Sequence, residues 1–295
     1  IMSSDWSSDV CSSDLARNDS SSQYQDNFLI EKPQYSLSYN RTKNTINWVA
    51  WKLNKSWLGN VSRPSNFGFA EAPALTSGYK VQDSDYDALY LRDAQGQAVR
   101  NETENENEEI VQMIPIDRGH LAPVGDRNRS LKDVHATFLT TNLLPQQRNN
   151  NQGIWKSLED HLRNVIKDSS PFSQRLDTYI IAGGFEQNRQ YTAISPNQNL
   201  NPSITLPLGL WKVALTVGDN IYEPPTKSHF GVFMGNQPRN RWERFTENNH
   251  IQKLESLLNS DNTISGLEYE FLTANVPTDI AERIKSFNRI IYPTS

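Results

Sequence analysis

The sequence holds a single cysteine, Cys11, in 295 residues, which excludes an intramolecular disulfide. A chain this long needs none, because it can bury enough apolar surface to fold without staples. No run approaches ~18 consecutive apolar residues, so no transmembrane helix is expected. Charged residues make up 21% and hydrophobic residues 36%, a balance that argues against wholesale disorder. Basic residues are not in excess: the formal net charge is −5 and the pI is about 5.6. Taken whole, that balance argues against a nucleic-acid partner. There is also no regular strand–helix alternation of the kind that builds a parallel sheet.

The acidity is unevenly placed. Ser3-Ser4-Asp5, Ser7-Ser8-Asp9 and Ser12-Ser13-Asp14 repeat with no apolar period, so they cannot build a core. The string resembles translated sequencing-adapter read-through joined to a gene, and any export signal is expected to be lost with the true N-terminus. Residues 1–45 read as a disordered or artefactual segment, and 46–295 as one domain. An acidic insertion around 88–113 contains Glu102, Glu104, Glu106, Glu108 and Glu109. Such a run is expected to be a solvated loop, or else a flap that screens a basic cleft. Without these five acids and Asp5, Asp9 and Asp14, the formal charge moves from −5 to +3. The remaining domain is mildly basic, and the objection to a nucleic-acid substrate falls away.

Strand candidates rich in β-branched and aromatic residues are Asn47–Leu53, Ala136–Thr141, Thr178–Ala182, Gly209–Val217 and His229–Met234. The clearest helix covers about 152–167, where Trp155, Leu158, Leu162 and Val165 recur at spacings of three and four. Weaker helices are expected at His250–Leu258 and Thr278–Phe287, the latter capped by Thr278. Strands before, around and after one main helix indicate an α+β fold with a mostly antiparallel sheet.

The chemistry concentrates in one block. His120 follows Gly119, where backbone can approach another group closely, and a histidine can take a proton from water near neutrality. Arg118 beside it is a planar, permanently charged donor suited to phosphate. Alone, each reads equally as an ordinary surface or ion-paired residue. Asn151 stands near the start of the main helix, and Glu159 lies eight residues on, a rotation of ~80°. Both are hard oxygen donors that suit Mg²⁺, Mn²⁺ or Ca²⁺ better than Zn²⁺. On spacing alone, an Asn beginning a helix is by default a cap.

The combination resembles the DNA/RNA non-specific endonucleases, the ββα-metal nucleases with a DRGH signature. Asp117-Arg118-Gly119-His120 is followed by Thr141-Asn142-Leu143-Leu144-Pro145-Gln146 and then by Asn151-Gln152-Gly153-Ile154-Trp155-Lys156-Ser157-Leu158-Glu159. The likeness extends from Asn47–Leu53 and Arg63-Pro64-Ser65-Asn66-Phe67 to Leu206–Val213 and Gly266-Leu267-Glu268-Tyr269, covering roughly residues 45–275. It implies a ββα-metal fold, with a central, mostly antiparallel sheet, a main metal-binding helix and flanking helices.

The resemblance also implies roles. His120 matches the general base, Asn151 the direct ligand of a hydrated Mg²⁺, and Glu159 the residue that holds metal-bound water. Arg63, Arg118 and Arg163 match phosphate-contacting arginines, and Asp117 a mainly orienting position at the substrate site. Mn²⁺ or another divalent cation is expected to substitute. The implied substrates are single- or double-stranded DNA and RNA with little sequence specificity, cut to 5′-phosphate and 3′-hydroxyl ends. No membrane partner is implied, no protein inhibitor is indicated by the sequence, and secretion or a periplasmic location follows from the likeness alone. Ile116 departs from the bulkier residue usual before the signature, and the Asp87–Ile114 stretch is unusually long. His135, His161, His229 and His250 match no catalytic position. Trp48, Trp51, Trp155 and Trp211 are expected to be packing residues. A non-cleaving binding module of the same fold and a phosphodiesterase on small nucleotides are the competing readings.

Overall fold

A computed structural model describes residues 25–65, 67–73, 81–86, 91–92, 100–105, 108–113, 116–167, 176–185, 192–193, 206–217, 229–236 and 242–243, with positions 204, 254, 256 and 258. Its centre is a seven-stranded sheet. The strands are β1 (Phe28–Glu31), β2 (Ser36–Asn40) and β3 (Thr45–Leu53). Between these and the later sheet strands come β4 (Leu91–Arg92), β5 (Arg100–Asn105), β6 (Glu108–Met113), β7 (Ile116–His120) and β8 (Leu143–Gln147). The later ones are β9 (Asp177–Phe185), β10 (Thr192–Ala193), β11 (Gly209–Val217), β12 (His229–Gly235) and β13 (Trp242–Glu243). The sheet runs β1-β2-β3-β9-β11-β12-β13, and every pairing in it is antiparallel.

The α-helices that flank the site are α1 (Leu131–Thr137) and α2 (Lys156–Lys167). The α+β class is therefore the one expected. Strands β3 and β9 are hydrogen-bonded neighbours, yet the chain between Leu53 and Asp177 leaves the sheet to build β7, α1, β8 and α2. β7 and β8 pair as a separate antiparallel hairpin, and α2 follows. That is the ββα unit the resemblance implies.

Helix α2 buries Leu158, Leu162 and Ile166, with Trp155 one turn earlier. They join Val49, Trp51, Ile180, Ala182, Leu210 and Ala214 of the sheet in one core. Each such side chain contributes about 1.5–3 kcal/mol by leaving water. The expected apolar stripe is present, except that Ile166 is fully buried and Val165 only half-buried.

Several expectations need correction. Residues 28–40 belong to no disordered segment: β1 and β2 are strands of the main sheet. β2 evades a reading by hydrophobicity because Ser36, Ser38 and Asn40 are buried polar residues, whereas β1 is a short apolar run, Phe28-Leu29-Ile30. Neighbours of the polar residues supply the hydrogen bonds, as when Asn47 Nδ2 donates to Ser38 Oγ at 2.9 Å. Residues 1–24 lie outside the described residues. Ala136–Thr141 is not a strand. Its first residues close α1, Thr140–Asn142 is a 3₁₀ turn, and the strand starts at Leu143. The α1 cap wins locally: Ser130 Oγ accepts from Asp133 N at 3.2 Å and donates to Asp133 Oδ2 at 2.7 Å, a reciprocal Ser-x-x-Asp cap.

The glutamate run is not a loop either. Arg100–Asn105 and Glu108–Met113 pair as a β-hairpin, with Glu104 opposite Glu109. Ile110 and Val111 give its second strand β-forming residues. Of His250–Leu258, the described positions 254, 256 and 258 are helical, as expected, and Leu254 and Leu258 are buried. Thr278–Phe287 lies outside the described residues. Among the described residues no helix is long and apolar enough to cross a membrane.

Candidate active site

Strand β7 carries Arg118 and His120 on one face, because alternate residues of a strand point the same way. Several bonds fix its C-terminal end. Leu121 N donates to Asn142 O at 3.1 Å. The Asn142 side chain accepts from Ala122 N at 3.0 Å and donates to Ala122 O at 2.9 Å and Thr137 O at 3.0 Å. Trp155 Nε1 reaches back from the helix to His120 O at 3.2 Å. The Thr-Asn of the signature is thus a brace for the backbone just beyond His120.

Around this edge lies a cleft of about 680 Å³. Arg63, Asp117, Arg118, His120, Asn151, Glu159 and Arg163 all line it, with Arg148, Gln152 and Lys156. The structure therefore brings every sequence-singled site residue to one place.

The His120 ring packs against Phe69 and Phe138, with centroids 5.2 Å away in each case. Its Nε2 is buried and accepts or donates no hydrogen bond among the described residues. Burial first, and then the nearby Arg63 charge, lower its pKa to about 4. At neutral pH the imidazole is therefore unprotonated and able to receive a proton. Arg63 is held by Phe67 O at 3.3 Å and by the Phe138 ring, 4.8 Å from its guanidinium carbon. Arg118 pairs with Asp83 at 2.7 Å.

Asn151 is not a cap. It lies inside a π-helical stretch, Asn150–Trp155, that precedes α2. Such wide turns concentrate at functional sites. Asp117 organises this stretch. Its Oδ2 accepts from Asn151 Nδ2 at 3.1 Å and Gln152 Nε2 at 3.2 Å, and its Oδ1 accepts from Arg148 at 3.0 Å. The Asn151 nitrogen is committed to Asp117, and its amide oxygen is a hard donor of the kind that could hold a divalent cation.

Glu159 lies on α2 with little exposure, and burial raises its pKa to about 7 against the opposing charge of Lys212. Its Oε2 is 3.9 Å from Arg163 Nη1 and its Oε1 is 3.9 Å from Lys212 Nζ. Arg163 also pairs with Asp126 at 2.9 Å and Asp160 at 2.6 Å, which hold it firmly charged despite its burial. Asp126 is anchored in turn by Trp51 Nε1 at 2.9 Å. Burial lowers the Lys212 pKa to about 8, and Glu159 opposes that shift.

Sequence reasoning missed Arg148, Gln152, Asp83, Asp126 and Lys212. Two carried a signal: Gln152 stands in the signature segment without an assigned role, and Lys212 is one charge inside the apolar run Leu210-Trp211-Lys212-Val213-Ala214. His135 stacks on Phe67 at 4.2 Å, and His161 is half-buried on α2. Neither lines the cleft, and the side chains of His229 and His250 lie outside the described residues. Trp48, Trp51, Trp155 and Trp211 are buried, as expected of packing residues. Among the described residues no cluster of three or more His, Cys, Asp or Glu could hold a metal. An amide and a carboxylate beside an open cleft suit a cation that keeps most of its waters.

The family described as DNA/RNA non-specific endonuclease matches residues 11–275. A nuclease of Nostoc sp. is 32% identical over 272 residues, 88% of this chain and 78% of that protein. The nuclease of Serratia marcescens is 24% identical over 211 residues, 72% of this chain and 65% of its own. A mitochondrial endonuclease G of Caenorhabditis elegans is 32% identical over 110 residues, covering 34% of this chain and 32% of that one. A chain of the solved EndoG/EndoGI complex aligns with a TM-score of 0.48 at 20% identity, covering 71% of this chain and 74% of its own.

Proposed function

Since the chain belongs to the DNA/RNA non-specific endonuclease family, we propose that it cleaves both DNA and RNA internally, with a divalent cation, through the His120 cleft. The observation that carries this reading is the convergence of a neutral His120, whose Nε2 has no hydrogen-bond partner among the described residues, with arginines and hard oxygen donors around one cavity.

In this reading the phosphodiester enters between Arg63 and Arg118, whose guanidinium groups neutralise it and the charge it gains on attack. His120 Nε2 accepts the proton of the attacking water, and the new P–O bond forms as the bond to the 3′ oxygen breaks. Products with 5′-phosphate and 3′-hydroxyl ends follow. Asp117 does not touch the reacting atoms; it orients the Asn151 amide and spaces Gln152 and Arg148 around the cleft. Asn151 directly, and Glu159 through water, would hold Mg²⁺ or Mn²⁺, which supplies positive charge to the phosphate and the leaving oxygen. Arg163 lines the same cleft and stands beside Glu159, which it would steady. Contacts to the backbone rather than to base edges account for weak sequence preference.

Incubation of closed-circular plasmid and of RNA with Mg²⁺ tests the reading. Nicked and linear plasmid, fragmented RNA and complete protection by a chelator are expected. Intact plasmid with Mg²⁺ or Mn²⁺ would overturn it, and hydrolysis restricted to mononucleotide diesters would favour a small-substrate phosphodiesterase.

A further inference from the structure

One charged group behind the cleft has no role in the chemistry above. Lys212 lies in β11 with no exposed surface. Its cross-strand neighbours are Ala182 and Val232, and Val49 pairs with Ala182 beyond. A lysine therefore occupies a row that is otherwise apolar, on the same face as Leu210 and Ala214, which pack beneath α2. Its Nζ has no hydrogen-bond partner among the described residues. It sits 3.9 Å from the centre of the Trp155 ring and 5.5 Å from that of Trp51. A buried ammonium without hydrogen bonds is costly, and the faces of two tryptophans recover only part of that cost. A methionine would fill the same space without the charge. Packing alone does not call for lysine here.

The other near neighbour is Glu159. Lys212 Nζ faces Oε1 at 3.9 Å, while Arg163 Nη1 faces Oε2 at the same distance. One cation stands at each oxygen, so the plane of the carboxylate is set from both sides. Glu159 and Arg163 line the cleft and Lys212 does not. The ammonium thus approaches the carboxylate from the side away from the cleft lining.

We infer that Lys212 is a positioning residue: caged by Trp51 and Trp155, it fixes the orientation of Glu159 toward the cation side of the cleft. It touches neither substrate nor reacting atoms. This inference rests on the role proposed for Glu159.

The test is a cycle of Lys212→Met, Glu159→Gln and the double variant in the full chain. Turnover on plasmid and the Mg²⁺ concentration that half-maximally raises the melting temperature are both measured. Residues that orient metal-site groups typically account for 10–100-fold in activity or metal affinity. K212M should therefore lose about 10–100-fold in kcat, with KM for DNA unchanged, and its Mg²⁺ midpoint should rise by about tenfold. In the E159Q background the same substitution should change kcat by less than about twofold, because contacting partners are not additive.

Independent, multiplicative losses would overturn the inference, as would K212M with wild-type kcat and Mg²⁺ midpoint. If K212M does not fold, the double variant decides. Restored folding marks Glu159 as the group Lys212 serves, and continued unfolding reduces Lys212 to a framework residue. Wild-type turnover by E159Q overturns the role of Glu159 itself. An inactive E159Q beside a fully active K212M overturns only that of Lys212.

Discussion

Replacing Gly119 by alanine puts a methyl group where the hairpin has no room. An added Cβ would lie 2.8 Å from Gln146 Cβ and 3.1 Å from Gln146 Cδ, with the Gln146 carbonyl oxygen closer still. The far end of Gln146 could swing aside, but its Cβ is fixed by β8. Moving Gln146 also breaks its hydrogen bond to Asn150 Oδ1, the residue that opens the π-helical stretch and donates to Gly235 O at 2.9 Å.

Overpacking costs about 1–3 kcal/mol, and a buried amide left unpaired about 1–3 kcal/mol more. A loss of roughly 2–6 kcal/mol, or about 4–24 °C in Tm for a domain of this size, is expected. Asn151 is the next residue along. A displacement there of ~1 Å should lower kcat by about 100-fold at temperatures where the variant stays folded. Differential scanning fluorimetry and plasmid nicking read the two effects. Gly153→Ala is the internal control, since its added Cβ meets nothing within 4 Å. It should leave Tm unchanged or raise it by the equivalent of ~1 kcal/mol of helix propensity. A G119A protein with wild-type Tm and turnover would refute the reasoning.

His120 should titrate near pH 4 rather than 6.5 in the folded protein, which an NMR titration of its ring protons reads directly. A midpoint near 6.5 would contradict its burial. Because the folded pKa is the lower one, the unfolded chain binds the extra proton first. The His120 contribution to stability is fully present above pH ~6.5 and is lost as the pH falls from there toward ~4. Its removal in His120→Phe should flatten the acid limb of a urea-denaturation profile in that window. Asp117→Ala releases Asn151, Gln152 and Arg148 together. It should raise the Mg²⁺ concentration for half-maximal thermal stabilisation by about 10–100-fold, and an unchanged midpoint would remove Asp117 from the site.

Much of this was legible in the sequence, and the exceptions share a cause. Strand β11 and the α2 stripe announce themselves because burial there is apolar and periodic. The signature residues mark the cleft because their chemistry, not their hydrophobicity, identifies them. β2 stays hidden because Ser36, Ser38 and Asn40 are buried by hydrogen bonding rather than by apolar character. Ala136–Thr141 reads as a strand by composition, yet Ser130 and Asp133 cap a helix over its first residues. β8 follows with Pro145 at its centre, which a two-stranded hairpin tolerates because it has a free edge. The π-helical turn that carries Asn151 has no signal in spacing. The bracketing of Glu159 by Lys212 and Arg163 joins residues far apart in the chain, and only the fold brings them together.

The most direct test of the nuclease reading is single-turnover cleavage of closed-circular plasmid by His120→Ala beside the wild type, with DNA binding measured on the same preparations. Loss of the proton acceptor should lower the cleavage rate by about 10²–10⁴-fold, with affinity for DNA essentially unchanged. Cleavage by H120A at the wild-type rate would contradict the assignment of His120 as the base on which the proposed reaction depends.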